Sequence, residues 1–259
     1  MPQATYSARA LVVRKVKLGE TDRIVHLIAD DGRLVKAVAK GARKPTSPFS
    51  SRLEVFSVVD VLLAQGRSLD IVKEARLVDA HAGVRLDLLR AAAAAPLIEC
   101  IAKAAQPDLP NPRSYACAVA ALDAMDDAEA GDALAIGAAA LLKVYSFTGF
   151  RPSFDACVSC GRRLDVDAAR QERSLLAFSA FDGGVLCDSC GRFSDAVRLS
   201  AETLGWARFL LMSTFDDIEA RHVERRISFD VLHLCQTWTR AHLGGRSKAL
   251  DFVFSCGLF

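Results

Sequence analysis

Long apolar runs are missing from this sequence. The nearest approach, AAAAAPLIECIAKAA, is interrupted by Pro96, Glu99 and Lys103, so no membrane span is expected. The opening segment MPQATYSARA has no apolar core of a signal peptide, which points to a cytoplasmic chain. Catalytic signatures are missing too. There is no HExxH, no P-loop, no GxGxxG at a strand–helix junction and no GxSxG. The five histidines are scattered, and neither His26 nor His233 has a carboxylate or second histidine at ligand spacing. A non-enzymatic protein is therefore expected. Aromatic residues make up only 7% of the chain, and net charge of one sign is nearly absent at +2, so overall charge names no partner.

What is present is core-forming material and an uneven distribution of charge. Hydrophobic residues make up 51% of the 259 positions, which marks a globular chain. Residues 1–80 hold 14 Lys/Arg against 9 Asp/Glu, residues 81–150 hold 5 against 8, and the remainder balances. Positive charge is concentrated in the N-terminal third, as nucleic-acid-binding modules often arrange it.

That third has strand periodicity. ARALVVRKVKL (8–18), RIVHLIA (23–29), RLVKAVAKG (33–41), VFSVVDVLLA (55–64) and LDIVKEARLV (69–78) are short, β-rich runs, and Asp31-Gly32 supplies a hairpin turn. Five such strands with no room for a helical layer predict a closed OB-like barrel over 1–82, because closure removes exposed sheet edges. Beyond residue 83 the spacing becomes helical: 84–106, with Pro96 as a kink or break, then 113–125 and 132–150, and again after residue 200. A helical domain is expected from 83–150 together with 197–259, its two parts packing on each other, with 151–196 as an insertion.

The insertion carries the strongest chemical signal. CVSCGR (157–162) and CDSCGR (187–192) are near-copies, with 26 residues between Cys160 and Cys187. Each CxxC can present two thiolates to one ion. The following Gly161 or Gly191 permits a left-handed turn, and LLAFSAFDGGVLC between them reads as a hairpin that brings the pairs together. Cys157, Cys160, Cys187 and Cys190 thus predict a zinc ribbon holding one structural Zn²⁺. Free cysteines or disulfides would not require the matched spacing. A redox CxxC would need a βαβ context, and four thiolates leave no open position for catalysis. Cys100, Cys117 and Cys235 lie in apolar helical stretches and read as core thiols.

The second signal is KGARKPTSPFSSR (40–52), which reads as an exposed, basic loop stiffened by proline. Lys36 and Lys40 share a strand face by period two, and Arg9, Lys15 and Lys17 share parity on the first strand. Lys36, Lys40, Arg43, Lys44 and Arg52 are the candidate nucleic-acid contacts. Only Phe49 is aromatic among residues 33–52, so phosphate contact should dominate over base stacking. A solvated turn that keeps the barrel soluble is the alternative.

The order of a barrel bearing KGARKPTSPFSSRLEVF, a helical region interrupted by CVSCGR…FSAFDGGVLCDSCGR, and a closing HLGGRSKALDF resembles the RecO family of bacterial DNA repair and recombination-mediator proteins over essentially the whole length. The resemblance implies a barrel that binds single- and double-stranded DNA and a protein that anneals complementary strands. It further implies that the chain works with RecR to load RecA onto DNA coated by single-strand-binding protein, whose C-terminal tail docks on the helical region. It also implies association with the nucleoid. An RNA-binding or ribosome-associated protein, and a scaffold with an incidental positive face, are the other classes compatible with a basic barrel and a ribbon.

Overall fold

The computed structural model describes residues 4–192 and 194–258. Residues 1–3, the start of the segment in which a signal peptide was sought, lie outside it. The chain forms two compact units, one of residues 1–91 with 101–127 and one of 92–100 with 128–259.

The first unit contains five strands, β1 (Thr5–Leu18), β2 (Asp22–Ala29), β3 (Leu34–Ala39), β4 (Val58–Ala64) and β5 (Asp70–Asp79). They close in the order β1-β2-β3-β5-β4, with every pairing antiparallel except β3 with β5. This is the expected OB-like barrel. Alternate residues fill its interior: Ala10 and Val12, Val25 and Leu27, Ala37 and Ala39, Val59, Val61 and Leu63, with Val72 and Ala75. The strands match the sequence reading to within three residues at every end. The connection from β3 to β4 does not match, because it contains a helical turn, α1 (Phe49–Arg52). Phe49 packs against the barrel interior and Ala42 and Leu53 are buried there, so the stretch read as an exposed loop also buries apolar side chains in the barrel core.

Two further helices of this unit, α2 (Ala82–Leu86) and α4 (Pro112–Asp127), pack on each other. Between them in sequence runs α3 (Leu88–Ala104), which contributes residues to both units. There is no break at Pro96; the helix boundary lies at Asp87, where the carboxylate accepts N–H bonds from Leu89 and Arg90 and caps α3. Pro96 sits inside the unbroken helix, at the cost of one backbone hydrogen bond.

The second unit is built on α5 (Ala130–Phe147), which is buried along most of its length. Against it lie α8 (Ala201–Met212), α9 (Phe215–Arg221) and α10 (Arg225–His242). The runs of alanine in α5 let these neighbours approach closely, and polar groups are buried in their midst. Tyr145 is fully buried, and its hydroxyl meets Thr239 Oγ1 at 2.7 Å and the Cys235 carbonyl at 3.1 Å. The C-terminal α11 (Lys248–Ser255) begins against Glu99, whose carboxylate accepts from Ser247 Oγ and from the Lys248 and Ala249 N–H groups. An anion is well placed at a helix N-terminus. The segment expected as one helical block, 83–150, is thus shared between the units, α4 with the barrel and α5 with the C-terminal helices.

Between α5 and α8 the chain forms α6 (Val166–Gln171) and a small sheet of β6 (Leu175–Ser179), β7 (Gly184–Leu186) and β8 (Val197–Ser200) in the order β7-β6-β8, with α7 (Asp188–Gly191) after β7. The expected hairpin is β6–β7, turning through residues 180–183. Cys100, Cys117 and Cys235 are buried, as expected of core thiols.

Candidate metal centre and nucleic-acid face

In the second unit, the sulfurs of Cys157, Cys160, Cys187 and Cys190 all lie within 4.8 Å of one another, so the group can hold a metal ion. The two CxxCG segments have the same local hydrogen bonding. Gly161 N–H donates to the Cys157 carbonyl at 2.8 Å, and Gly191 N–H donates to the Cys187 carbonyl at 2.8 Å. The glycines serve different ends. Gly161 takes the left-handed conformation expected of it, with φ +75°. Gly191 does not. It ends the one-turn α7 so close to β6 that a Cβ there would come within 2.6 Å of the Ala177 side chain. Its lack of a side chain serves packing rather than a turn.

The thiols of the site differ in their readiness to ionise. Burial pushes the Cys157 thiol up, but the backbone N–H groups of Cys187, Cys160 and Ser159 offset this and bring it down to about 6. The Cys190 backbone N–H likewise lowers Cys187. At Cys190 the Ser159 hydroxyl lowers the thiol, yet the sulfurs of Cys187 and Cys160 prevail and raise it to about 11. Four sulfurs this close cannot all be anionic unless a positive ion sits among them. Cys160 Sγ and Cys187 Sγ are 3.8 Å apart, far beyond a disulfide. Bonds of about 2.3 Å at the tetrahedral angle would separate two thiolates by about 3.8 Å. The donor set and its spacing therefore fit a tetrahedral, thiolate-bound ion.

In the first unit, Lys36, Lys40, Arg43, Lys44 and Arg52 are all exposed. Among the described residues none of the five forms an ion pair, whereas Arg9, Lys15, Arg23, Arg33 and Arg76 are paired to carboxylates. Two of the five cations also hold the backbone: Arg43 donates to the Gly19 carbonyl at 2.6 Å and Arg52 to the Ala75 carbonyl at 2.9 Å. The base of the loop is fixed to the β1–β2 turn, with Gly41 N–H on Asp22 Oδ1 at 2.8 Å and Arg43 N–H on the Thr21 carbonyl at 2.9 Å. Lys40, Arg43 and Lys44 thus stand on a braced turn.

The shared parity of Arg9, Lys15 and Lys17 does not put them on one face. β1 has a bulge between Val12 and Arg14 that shifts its register against β2. An extra residue exchanges the faces of everything beyond it. Arg9 lies opposite outward Asp60, whereas Lys15 lies opposite inward Val25 and is paired with Glu54 at the barrel end. The same bulge brings a cation that sequence parity missed onto the outer face. Arg14 pairs with His26 and His26 with Lys36, forming one row across three strands. Burial, then Arg14, then Lys36 hold the His26 imidazole below its ordinary value.

A closed five-stranded OB-like barrel bearing exposed cations, in a chain that also carries a helical unit with a four-cysteine ribbon, defines a class of modular protein. Residues 1–81 match the family model "Recombination protein O N terminal", and residues 85–251 match "Recombination protein O C terminal". Proteins named DNA repair protein RecO are similar over most of their length. That of Nocardioides sp. is 36% identical with 96% of this chain and 98% of the relative covered, and that of Bifidobacterium longum is 32% identical with 96% and 99% covered. That of Rubrobacter xylanophilus is 35% identical with 80% and 81% covered. The chain belongs to the RecO family of DNA repair proteins. No helix among the described residues is long and apolar enough to cross a membrane.

Proposed function

We propose that this chain is a non-enzymatic DNA-binding and strand-annealing mediator. It would act with RecR to load RecA onto single-stranded DNA coated by single-strand-binding protein, whose C-terminal tail docks on the helical region. The observation that carries the DNA reading is the set of exposed cations, Lys36, Lys40, Arg43, Lys44 and Arg52, none of which forms an ion pair among the described residues, on a braced loop and its adjoining strand. Phosphates of single- or double-stranded DNA are the complementary anions, and such contacts position a strand without reading it. A strand held by its backbone has its base edges free, and cations beside it reduce repulsion toward a second strand. Annealing needs no covalent chemistry. Phe49, the one aromatic of the loop, is half-buried against the barrel interior, which limits base stacking and favours phosphate contact.

Cys157, Cys160, Cys187 and Cys190 would hold one structural Zn²⁺, the ion whose bond lengths suit the sulfur spacing and thiolate set. In this reading the functional divisions are a DNA-binding barrel at 1–82, a helical domain at 83–150 and 197–259, and the ribbon at 151–196. The protein works in the cytoplasm at the nucleoid.

The test is annealing of complementary strands coated with single-strand-binding protein, for the wild type and for a variant with Lys40, Arg43, Lys44 and Arg52 replaced by alanine. The proposal expects annealing by the wild type and its loss in the variant. Preference for RNA over single-stranded DNA of equal length would instead support an RNA-binding protein.

A further inference from the structure

Outside the cysteine ribbon, one other cluster among the described residues has the makings of a metal site, and it lies in the barrel's own unit. His81 follows the end of β5 and precedes α2; its side chain is 1% exposed. Its Nδ1 lies 2.7 Å from the Phe56 carbonyl, and its Nε2 lies 2.9 Å from Asp123 Oδ1 on α4. Asp79, on the last position of β5, receives the His81 backbone N–H on Oδ1 at 2.8 Å. Donor atoms of Asp79, His81 and Asp123 all lie within 4.8 Å of one another.

The hydrogen bonds determine which atoms face which. A carbonyl oxygen can only accept, so the Phe56 carbonyl takes the Nδ1–H of the ring. In a neutral imidazole the remaining nitrogen, Nε2, then carries a lone pair. That lone pair faces a carboxylate oxygen, which also only accepts, and a second carboxylate is close by. Two lone pairs at this distance repel, so something positive must lie between ring and carboxylates. It is either a second ring proton or a metal ion.

The surroundings are those of a metal-ligating histidine. Such a ring has its other N–H donated to a carbonyl, which fixes the tautomer and aims the free nitrogen. Both carboxylates are exposed, so solvent can complete a coordination shell and an ion can enter. Ligand bonds of about 2.1 Å at right angles place neighbouring donors about 3 Å apart, which matches the Nε2–Oδ1 distance of 2.9 Å. That angle is octahedral rather than tetrahedral, and one imidazole with two carboxylates and water suits a manganese-like ion better than a thiolate-seeking one.

We propose that Asp79, His81 and Asp123 form a second divalent-cation site, of mixed imidazole–carboxylate type, which ties the end of β5 to α4 within the N-terminal unit. It is distinct in chemistry from the cysteine site, so the two can be loaded separately.

The experiment uses the full-length protein with its thiolate site filled by zinc, freed of other metals and titrated with Mn²⁺ while free ion is followed by electron paramagnetic resonance. The probe variant is Asp123→Asn, because an exposed amide can donate to Nε2 and so keep the fold without supplying an anionic ligand. Asp79→Asn is the second variant. The proposal expects one Mn²⁺ per wild-type chain and affinity reduced about ten-fold or more in each variant. It also expects a Mn²⁺-dependent rise in melting temperature that Asp123→Asn lacks. Equal Mn²⁺ binding by wild type and variants, or none by the wild type at millimolar Mn²⁺, would overturn it and leave a proton as the bridging cation.

Discussion

The ring of Phe178, on ribbon strand β6, lies 5.9 Å from that of Trp238 in α10. Both are fully buried, and Trp238 is pinned further by its indole N–H on the Phe150 carbonyl at 3.0 Å. His242 on α10 meets the Ala180 carbonyl of the ribbon turn at 2.8 Å. The four-cysteine ribbon therefore shares its apolar packing with the helices of its unit.

That sharing defines the first prediction. Structural zinc in finger peptides is worth on the order of 10 kcal/mol of apparent binding energy at neutral pH. Cys157→Ser should abolish stoichiometric zinc, unfold the ribbon and disturb the surroundings of Trp238, while the barrel stays folded. Elemental analysis and tryptophan fluorescence check this. Zinc-free wild-type protein with unchanged fluorescence would refute it.

The second prediction separates charge from architecture in the basic loop. Arg43 and Arg52 each donate to a backbone carbonyl. Replacing either with alanine should cost about 1 kcal/mol of stability in addition to any effect on binding. Lys40→Ala and Lys44→Ala should leave stability within about 0.5 kcal/mol. Urea denaturation curves for the four single variants distinguish the two pairs.

The third concerns pH. His26 is held below its ordinary value by burial and by Arg14 and Lys36 on the flanking strands. Its neutral form is therefore favoured in the fold, and this contribution to stability is present above pH 6.5 and lost as pH falls through the lowered value. A DNA phosphate over the Arg14–His26–Lys36 row would oppose that repulsion and raise the value, so binding would take up a proton. Affinity should increase as pH falls below about 6.5, and His26→Gln should remove that part of the dependence. Fluorescence anisotropy with labelled single-stranded DNA across this range is the check.

The fourth is a helix cap. Asp87 accepts from two N–H groups at the start of α3. Asp87→Ala should destabilise the protein by about 1 kcal/mol, read from its denaturation midpoint.

Barrel, ribbon and helices were legible because each has a signal of its own: alternation in the five strands, the Asp31-Gly32 turn, and two matched CxxCG segments. What was not legible depends on long-range geometry. LVVRK gives no sign that the strand bulges there, yet that one residue separates Arg9 from Lys15 and turns Arg14 outward. Phe49 looked like a lone surface aromatic because its partners, the barrel interior residues, are scattered over five strands. His81 was passed over because Asp123 is 42 positions away and comes close only after folding. The role of Gly191 depends on Ala177 in the same way.

The salt dependence of single-stranded DNA binding tests the central claim most directly. Each phosphate contact contributes about 0.7 to the slope of log K against log salt. With Lys36, Lys40 and Lys44 replaced together by alanine, the slope should become shallower by about 2, affinity should drop for every sequence alike, and the fold should persist. A folded triple variant with wild-type affinity and slope would show that these exposed cations only solvate the barrel, and the DNA-binding account would fail.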